Sequence, residues 1–318
     1  MIHSDQAFGQ SMDAVRHTLL RAPMVVREVS EHLAVSLGKG IRVRLLLACS
    51  MDGDGMVNPS AIRAAAAVEL LHMATLVHDD IIDNAVLRRG LPALHSKFGN
   101  EKAVLGGDWL LCAAIKLALD VKIPGDAERK SALARAFVVG AERLCLGELD
   151  ERANLGDVAL EPRIYLRIID RKTAALFCLA AHAGALVADL PAREIALLIR
   201  FARYFGHIFQ ISDDIKDYCQ DEATALKSVQ NDLFSGVITL PAILAFAKDA
   251  TLRPLAKEII TGGGALSFIE RIKKSGGVDD AHTICKRYTD KARAAAAALG
   301  HRRQHLEALL SAIAPPPH

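Results

Sequence analysis

Val68-Glu69-Leu70-Leu71-His72-Met73-Ala74-Thr75-Leu76-Val77-His78-Asp79-Asp80-Ile81-Ile82-Asp83 is an apolar helical stretch that ends in aspartates. The same acidic pattern returns in Phe209-Gln210-Ile211-Ser212-Asp213-Asp214-Ile215-Lys216-Asp217. Each time the aspartates fall at i, i+1 and i+4. On a helix, i and i+4 project from one face roughly 6 Å apart, with i+1 turned about 100° round the axis. Carboxylates so grouped repel one another and resist burial unless cations neutralise them. Their oxygens are what a hard ion such as Mg²⁺ prefers, and Mg²⁺ usually brings substrate phosphates. The pattern predicts a divalent-metal site for a phosphorylated ligand.

Outward from these stretches the chain reads as helical throughout. Apolar periodicity predicts helices over 10–35, 41–51, 60–84, 100–120, 127–153, 161–188, 191–218, 236–249, 252–261, 265–275 and 278–312, without convincing strand alternation. Gly90-Leu91-Pro92 reads as a loop, Pro124-Gly125-Asp126 as a turn, Gly262-Gly263-Gly264 as a hinge, and residues 313–318 as a frayed tail. The 318 residues are 51% hydrophobic and only 5% aromatic, which suits closely packed helices. No long polar linker divides them, so a single all-α domain, a bundle of ten or more helices around a central cleft, is expected. A formal charge of +2, with no basic run interleaved with aromatics, gives no reason to expect nucleic acid. The six scattered cysteines form no CxxC pair and read as reduced thiols in a cytoplasmic protein. The polar start, Met1 to Asp13, lacks the apolar core of a secretory signal, and Thr173 to Ala188 is too short to span a membrane.

Bases accompany the acids. Arg88-Arg89-Gly90 follows the first motif, and a guanidinium suits bidentate phosphate binding. Gly38-Lys39-Gly40-Ile41-Arg42 places a lysine and an arginine at a helix start, where backbone N–H groups also favour anions. Lys172-Thr173 and Lys227 add cations beside apolar helices. This exceeds what one diphosphate needs and would serve two.

Residues 68–83 with Leu87-Arg88-Arg89-Gly90 resemble the first aspartate-rich region of trans-polyprenyl diphosphate synthases. So does the run from Phe209 to Asp217, followed by Lys227, Asp232-Leu233, Gly236 and Thr239-Leu240-Pro241, for the second region. Tyr165 with Arg171-Lys172-Thr173 matches the lysine–threonine motif between them. The resemblance implies the isoprenoid synthase fold, a homodimer, and head-to-tail condensation of isopentenyl diphosphate with an allylic diphosphate. It implies Mg²⁺, three ions with bound diphosphate, held by Asp79, Asp83 and Asp213, with Asp80, Asp214 and Asp217 ligating or supporting through water. Arg88, Lys172 and Lys227 would hold the allylic diphosphate, and the Thr173 carbonyl and Gln210 side chain its cation. Isopentenyl diphosphate would take Lys39, Arg42, His72 and Arg89. In the family's Gly-Lys-Arg-x-Arg-Pro motif, this chain has Gly40 for the first arginine and Val43 for the proline, which predicts weaker isopentenyl diphosphate binding.

One turn before the first motif, Ala74 and Thr75 should face the growing chain, with Leu71 and then Val68, Ala67 and Ala64 deeper. Small side chains there leave the pocket open, and the expectation is a medium- or long-chain product of six or more isoprene units. The alternatives are a short-chain farnesyl or geranylgeranyl diphosphate synthase, a class I terpene cyclase, and a non-catalytic subunit of a heteromeric synthase. The repeated DDxxD disfavours a cyclase, and completeness of both motifs disfavours an inactive subunit. An HD-type phosphohydrolase built on His78-Asp79 with His72 or His182 would leave the second acidic motif unexplained. His95, His182 and His207 read as packing or surface residues.

Overall fold

A computed structural model describes residues 1–123, 127–219, 229, 232–261 and 266–314. Lys227, the 124–126 turn, the glycine hinge and residues 315–318 lie outside the described residues. Among the described residues the protein is all-α apart from two short ribbons. Its helices are α1 (Ser4–Leu20), α2 (Arg27–Val35), α3 (Ile41–Ser50), α4 (Ser60–Ile82), α5 (Leu94–Phe98), α6 (Asn100–Leu119), α7 (Ala127–Arg152), α8 (Pro162–Ile169), α9 (Ala175–Val187), α10 (Ala192–Cys219), α11 (Leu240–Lys248), α12 (Leu252–Ile260), α13 (Leu266–Lys274), α14 (Gly277–Ala297) and α15 (Arg302–Ile313).

Three expected helices are divided. The first becomes α1 and α2 with a 3₁₀ turn, Met24–Val26, because Pro23 has no N–H to continue the ladder. The last is cut at Gly300, whose φ of 56° leaves the right-handed region. The helix expected over 161–188 starts with Pro162 at its first turn, then widens into a π turn at Asp170–Ala174 before α9 resumes. The helix expected from 236 begins at Leu240, after Gly236 turns the chain with a φ of 81°.

Two features are strands that periodicity did not show. β1 (Ile2–His3) pairs antiparallel with β2 (Met56–Val57), Ile2 opposite Val57. β3 (Leu87–Arg88) pairs with β4 (Leu91–Pro92) in a two-residue hairpin, not a loop. Arg89 and Gly90 both carry positive φ, 52° and 79°, as a tight hairpin turn requires.

The contacts cluster in two compact units, residues 1–142, 176–199 and 298–306 in one and 143–175, 200–297 and 307–318 in the other. In the first, α4 packs against α6, α1 and α3 and is apolar on every side, with Ala64–Ala67, Val68 and Leu70 fully buried. Among the described residues it is the one helix long and apolar enough to cross a membrane, yet 67% of that window is buried within the protein. The small residues of α6 let it come close: a Cβ on Gly107 would collide with the His78 ring. In the second unit α11 packs against α14, and Gly277 lets α14 approach the Pro241 carbonyl.

Candidate active site

In each acidic motif the helix turns one aspartate inward. In the first unit Asp79 is half-buried and Asp83 exposed, whereas Asp80 is buried. Arg88, carried back by the hairpin, donates to Asp80 Oδ1 from Nε at 2.8 Å and also from Nη2. Burial opposes the Arg88 charge, but the bonds and charge of Asp80, with Asp79 and Asp83 nearby, hold its pKa above the ordinary value.

The second motif repeats the division. Asp213 is exposed, Asp217 half-buried and Asp214 buried. Asp214 accepts from the Tyr165 hydroxyl at 2.5 Å, Gln210 Nε2 at 2.9 Å and the Leu240 amide at 3.3 Å. Burial nevertheless pushes its pKa up to about 7, against the pull of these donors. Asp232, half-buried nearby, is raised to about 8 by burial and by the charges of Asp214, Asp217, Glu151 and Asp213. Hydrogen-bonded inward, Asp80 and Asp214 orient their helices, and the aspartates at i and i+4 are those turned toward solvent.

Among the described residues no three His, Cys, Asp or Glu side chains converge into a ready-made metal cage. This donor set fits Mg²⁺, which binds through one or two carboxylates, keeps several waters and shares substrate phosphates.

The expected isopentenyl diphosphate residues gather in the first unit. Arg42, on the first turn of α3, lies 3.1 Å from His72 Nε2 through Nη1, with its guanidinium 4.6 Å from the centre of the Phe177 ring. Burial lowers the Arg42 pKa to about 10, partly offset by Glu69. Burial, with Arg42, Arg89 and Arg88 around it, keeps the His72 pKa well below the usual histidine range. His72 is therefore a neutral ring among cations. Arg89 donates to the Ser36 carbonyl at 2.7 Å, and its guanidinium occupies the space a Cβ on Gly38 would need. The exposed Lys39 thus sits on a segment bound to the hairpin. The altered motif also has a local cause. Gly40 has a φ of 60° and faces Phe8, which a Cβ would meet at 2.9 Å.

In the second unit Lys172 and Thr173 lie in the π turn. Lys172 is bound by Glu148 Oε2 at 2.8 Å and by Glu151, both on α7. These carboxylates outweigh burial and raise the lysine pKa above its ordinary value. Thr173 donates through Oγ1 to Gln210 Oε1 at 2.9 Å, so Gln210 bridges Thr173 and Asp214. Two glycines make room for this turn. A Cβ on Gly147 would strike the Lys172 backbone, and one on Gly206 would lie 2.5 Å from Ala174 Cα.

Sequence reasoning passed over the grip of Glu148 and Glu151 on Lys172 and the acids Glu69 and Asp170, and it gave the matched Asp232 no role. Gly147-Glu148 was a visible signal for the first. Ala74 and Leu71 are buried, and half-buried Thr75 spends its hydroxyl on the His72 carbonyl at 2.8 Å. His207 bears out the packing reading, with its ring stacked on Tyr288 at 4.8 Å.

Residues 23–269 match the family model for polyprenyl synthetase. The chain is 36% identical over 273 residues to the all-trans-nonaprenyl-diphosphate synthase (geranyl-diphosphate specific) of Rhodobacter capsulatus, covering 84% of this chain and 81% of that one. Identity to heptaprenyl diphosphate synthase component 2 of Bacillus subtilis is 32%, over 84% of this chain and 75% of the relative. A geranylgeranyl diphosphate synthase of Sulfolobus acidocaldarius is 33% identical, over 82% and 80%. Among solved structures, heptaprenyl diphosphate synthase from Staphylococcus aureus superposes with a TM-score of 0.87 at 28% identity, covering 98% of each chain.

Proposed function

The chain belongs to the polyprenyl synthetase family and is a trans-prenyltransferase of the isoprenoid synthase fold, and from that premise we propose that it adds isopentenyl diphosphate head-to-tail to an allylic diphosphate, to six or more isoprene units. The observation that carries the chemistry is the gathering of Arg42, Arg88 and Arg89 around a neutral His72 directly beside an acidic motif.

Asp79, Asp83, Asp213 and Asp217 would hold Mg²⁺, which supplies charge neutralisation to the diphosphate as its C–O bond breaks. Arg88, Lys172 and Lys227 would bind the same diphosphate, with Arg88 and Lys172 pre-aimed by their carboxylate partners. Asp80 and Asp214 would act by orientation. The Gln210 carbonyl, set by its bonds to Thr173 and Asp214, and the Thr173 backbone carbonyl would face the allylic cation. Isopentenyl diphosphate would lie on Lys39, Arg42, His72 and Arg89. Its double bond attacks the cation, and the departing diphosphate takes the proton released, so no protein base is needed.

Small Ala74 and Thr75, one turn before Asp79, support an open path for the product. The nonaprenyl and heptaprenyl names of relatives agree with that length, while the geranylgeranyl name of another favours a shorter second reading. A homodimer is proposed because α6 and α7 expose Val104, Leu105, Leu119, Val138 and Val139. The relative named as a component makes a second polypeptide the competing assembly. Six free thiols support a reducing, cytoplasmic setting.

The test incubates the purified chain alone with farnesyl and isopentenyl diphosphates and Mg²⁺ and sizes the products. A ladder ending at thirty or more carbons supports the proposal. A dominant product of twenty carbons or fewer overturns the length, and no elongation by the lone chain overturns the self-sufficient synthase.

A further inference from the structure

Asp170, the first residue of the π turn, is a buried carboxylate neutralised from two other helices. Arg203 of α10 grips it with two parallel bonds, Nε to Oδ1 at 2.5 Å and Nη2 to Oδ2 at 2.9 Å. Arg143 of α7 donates from Nη2 to Oδ2 at 2.8 Å. His207, one turn beyond Arg203, directs Nε2 toward Oδ1 at 3.8 Å.

A π turn is a rare backbone register, and residues 170–174 contain neither glycine nor proline to impose it. Its register must be held from outside. The helices that clamp Asp170 also supply the partners of the two functional residues that follow it. From α7, Glu148 and Glu151 bind Lys172; from α10, Gln210 binds Thr173. Bidentate arginine–carboxylate pairing fixes both distance and orientation. One clamp therefore sets the turn against both helices at once.

We propose that Asp170 is a positioning residue for prenyl transfer, its arginine clamp fixing the π-turn register that presents Lys172 and Thr173 to the allylic substrate. The inference rests on the assignment of those two residues to the allylic diphosphate and its cation.

The test compares wild type, Asp170→Asn, Asp170→Glu and Arg203→Gln by steady-state kinetics, varying each diphosphate separately, with thermal melting alongside. The amide keeps the shape of the carboxylate but loses its charge and one acceptor. Asp170→Asn should lower kcat about tenfold and raise KM for farnesyl diphosphate about fivefold, with KM for isopentenyl diphosphate unchanged. Asp170→Glu keeps the charge and should recover much of the rate, and Arg203→Gln should show the same split more weakly. Wild-type kinetics in Asp170→Asn would overturn the inference. So would losses that track melting temperature, with neither a KM split nor rescue by glutamate. If Asp170→Asn does not fold, Arg203→Gln decides by the same criteria, since that side chain is 56% exposed. An inactive wild type removes the transfer reading and this inference with it; an active wild type with an unaffected variant removes the inference alone.

Discussion

The Tyr165 hydroxyl donates to Asp214 Oδ2 at 2.5 Å, fastening α8 to the inward aspartate of the second acidic motif. Both groups are buried, and burial with the Asp214 charge keeps the phenol protonated far above its usual range. The phenol is therefore a fixed donor at any working pH. Tyr165→Phe should lower kcat about tenfold, the equivalent of roughly 1.4 kcal/mol, within the range of a hydrogen bond to a charged group. Steady-state turnover with saturating Mg²⁺ measures this, and unchanged turnover would mean that Asp214 does not depend on the tyrosine.

Metal-free stability should fall as pH rises from about 4, the ordinary carboxylate value, to about 8, and level off above that. Asp214 and Asp232 have folded pKa values near 7 and 8, above those of an unfolded chain. The folded state therefore holds protons that the unfolded state has released, and stability is lost as these groups ionise. His72, His182 and His207 have lowered values and act in the opposite sense only below the ordinary histidine pKa, so the decline stands clear of them between about 6.5 and 8. Asp232→Asn should flatten the decline and raise the melting temperature at pH 8 by roughly 2 °C. Mg²⁺ with inorganic pyrophosphate should stabilise the wild type more at pH 8 than at pH 6. Melting curves across pH with equal ionic strength decide the matter.

The two aspartates of Asp79-Asp80 should fail differently. Asp79→Ala should cut turnover on the order of a hundredfold and raise the Mg²⁺ concentration required, as expected for a lost metal ligand. Asp80→Ala frees Arg88, and its main effect should be a higher KM for the allylic diphosphate with a near-normal Mg²⁺ requirement. Mg²⁺ titrations at fixed substrate distinguish them, and identical Mg²⁺ profiles would refute the division of labour.

Restoring the family's arginine should not help. Gly40→Arg places a side chain at a φ of 60° and against Phe8. The left-handed conformation alone costs a non-glycine residue about 1 kcal/mol or more. The variant should melt lower and show no gain in isopentenyl diphosphate KM; a lower KM would show that the missing arginine limits binding.

Ala74→Phe should shorten the product. The position is 2% exposed and lies about one turn before Asp79, so a phenyl ring there should plug the proposed product path and add an overpacking cost of about 1–3 kcal/mol. Chromatographic sizing checks it, and an unchanged chain length would place Ala74 away from the growing chain.

Much of this was legible in the residue order. Apolar periodicity located α4 and α10 closely, since both are long and strongly patterned. The break at Pro23 and the hairpin at Arg89-Gly90 follow from local backbone chemistry that periodicity alone overlooks. The π turn left no such mark. Residues 161–188 carry an ordinary helical pattern, and the register is held by Asp170, Gly147 and Gly206 through contacts with other helices.

The sequence by itself determined the helical class, the paired acidic motifs and the cationic set beside them, because i to i+4 spacing is a local property of the helix. Only the tertiary structure decided which carboxylates are turned inward and which cations are pre-aimed. Those outcomes depend on partners brought from elsewhere in the chain: Tyr165 reaches Asp214 across 49 positions, and Glu151 reaches Lys172 across 21. Burial and hydrogen bonding, not residue type, set the roles of otherwise identical aspartates.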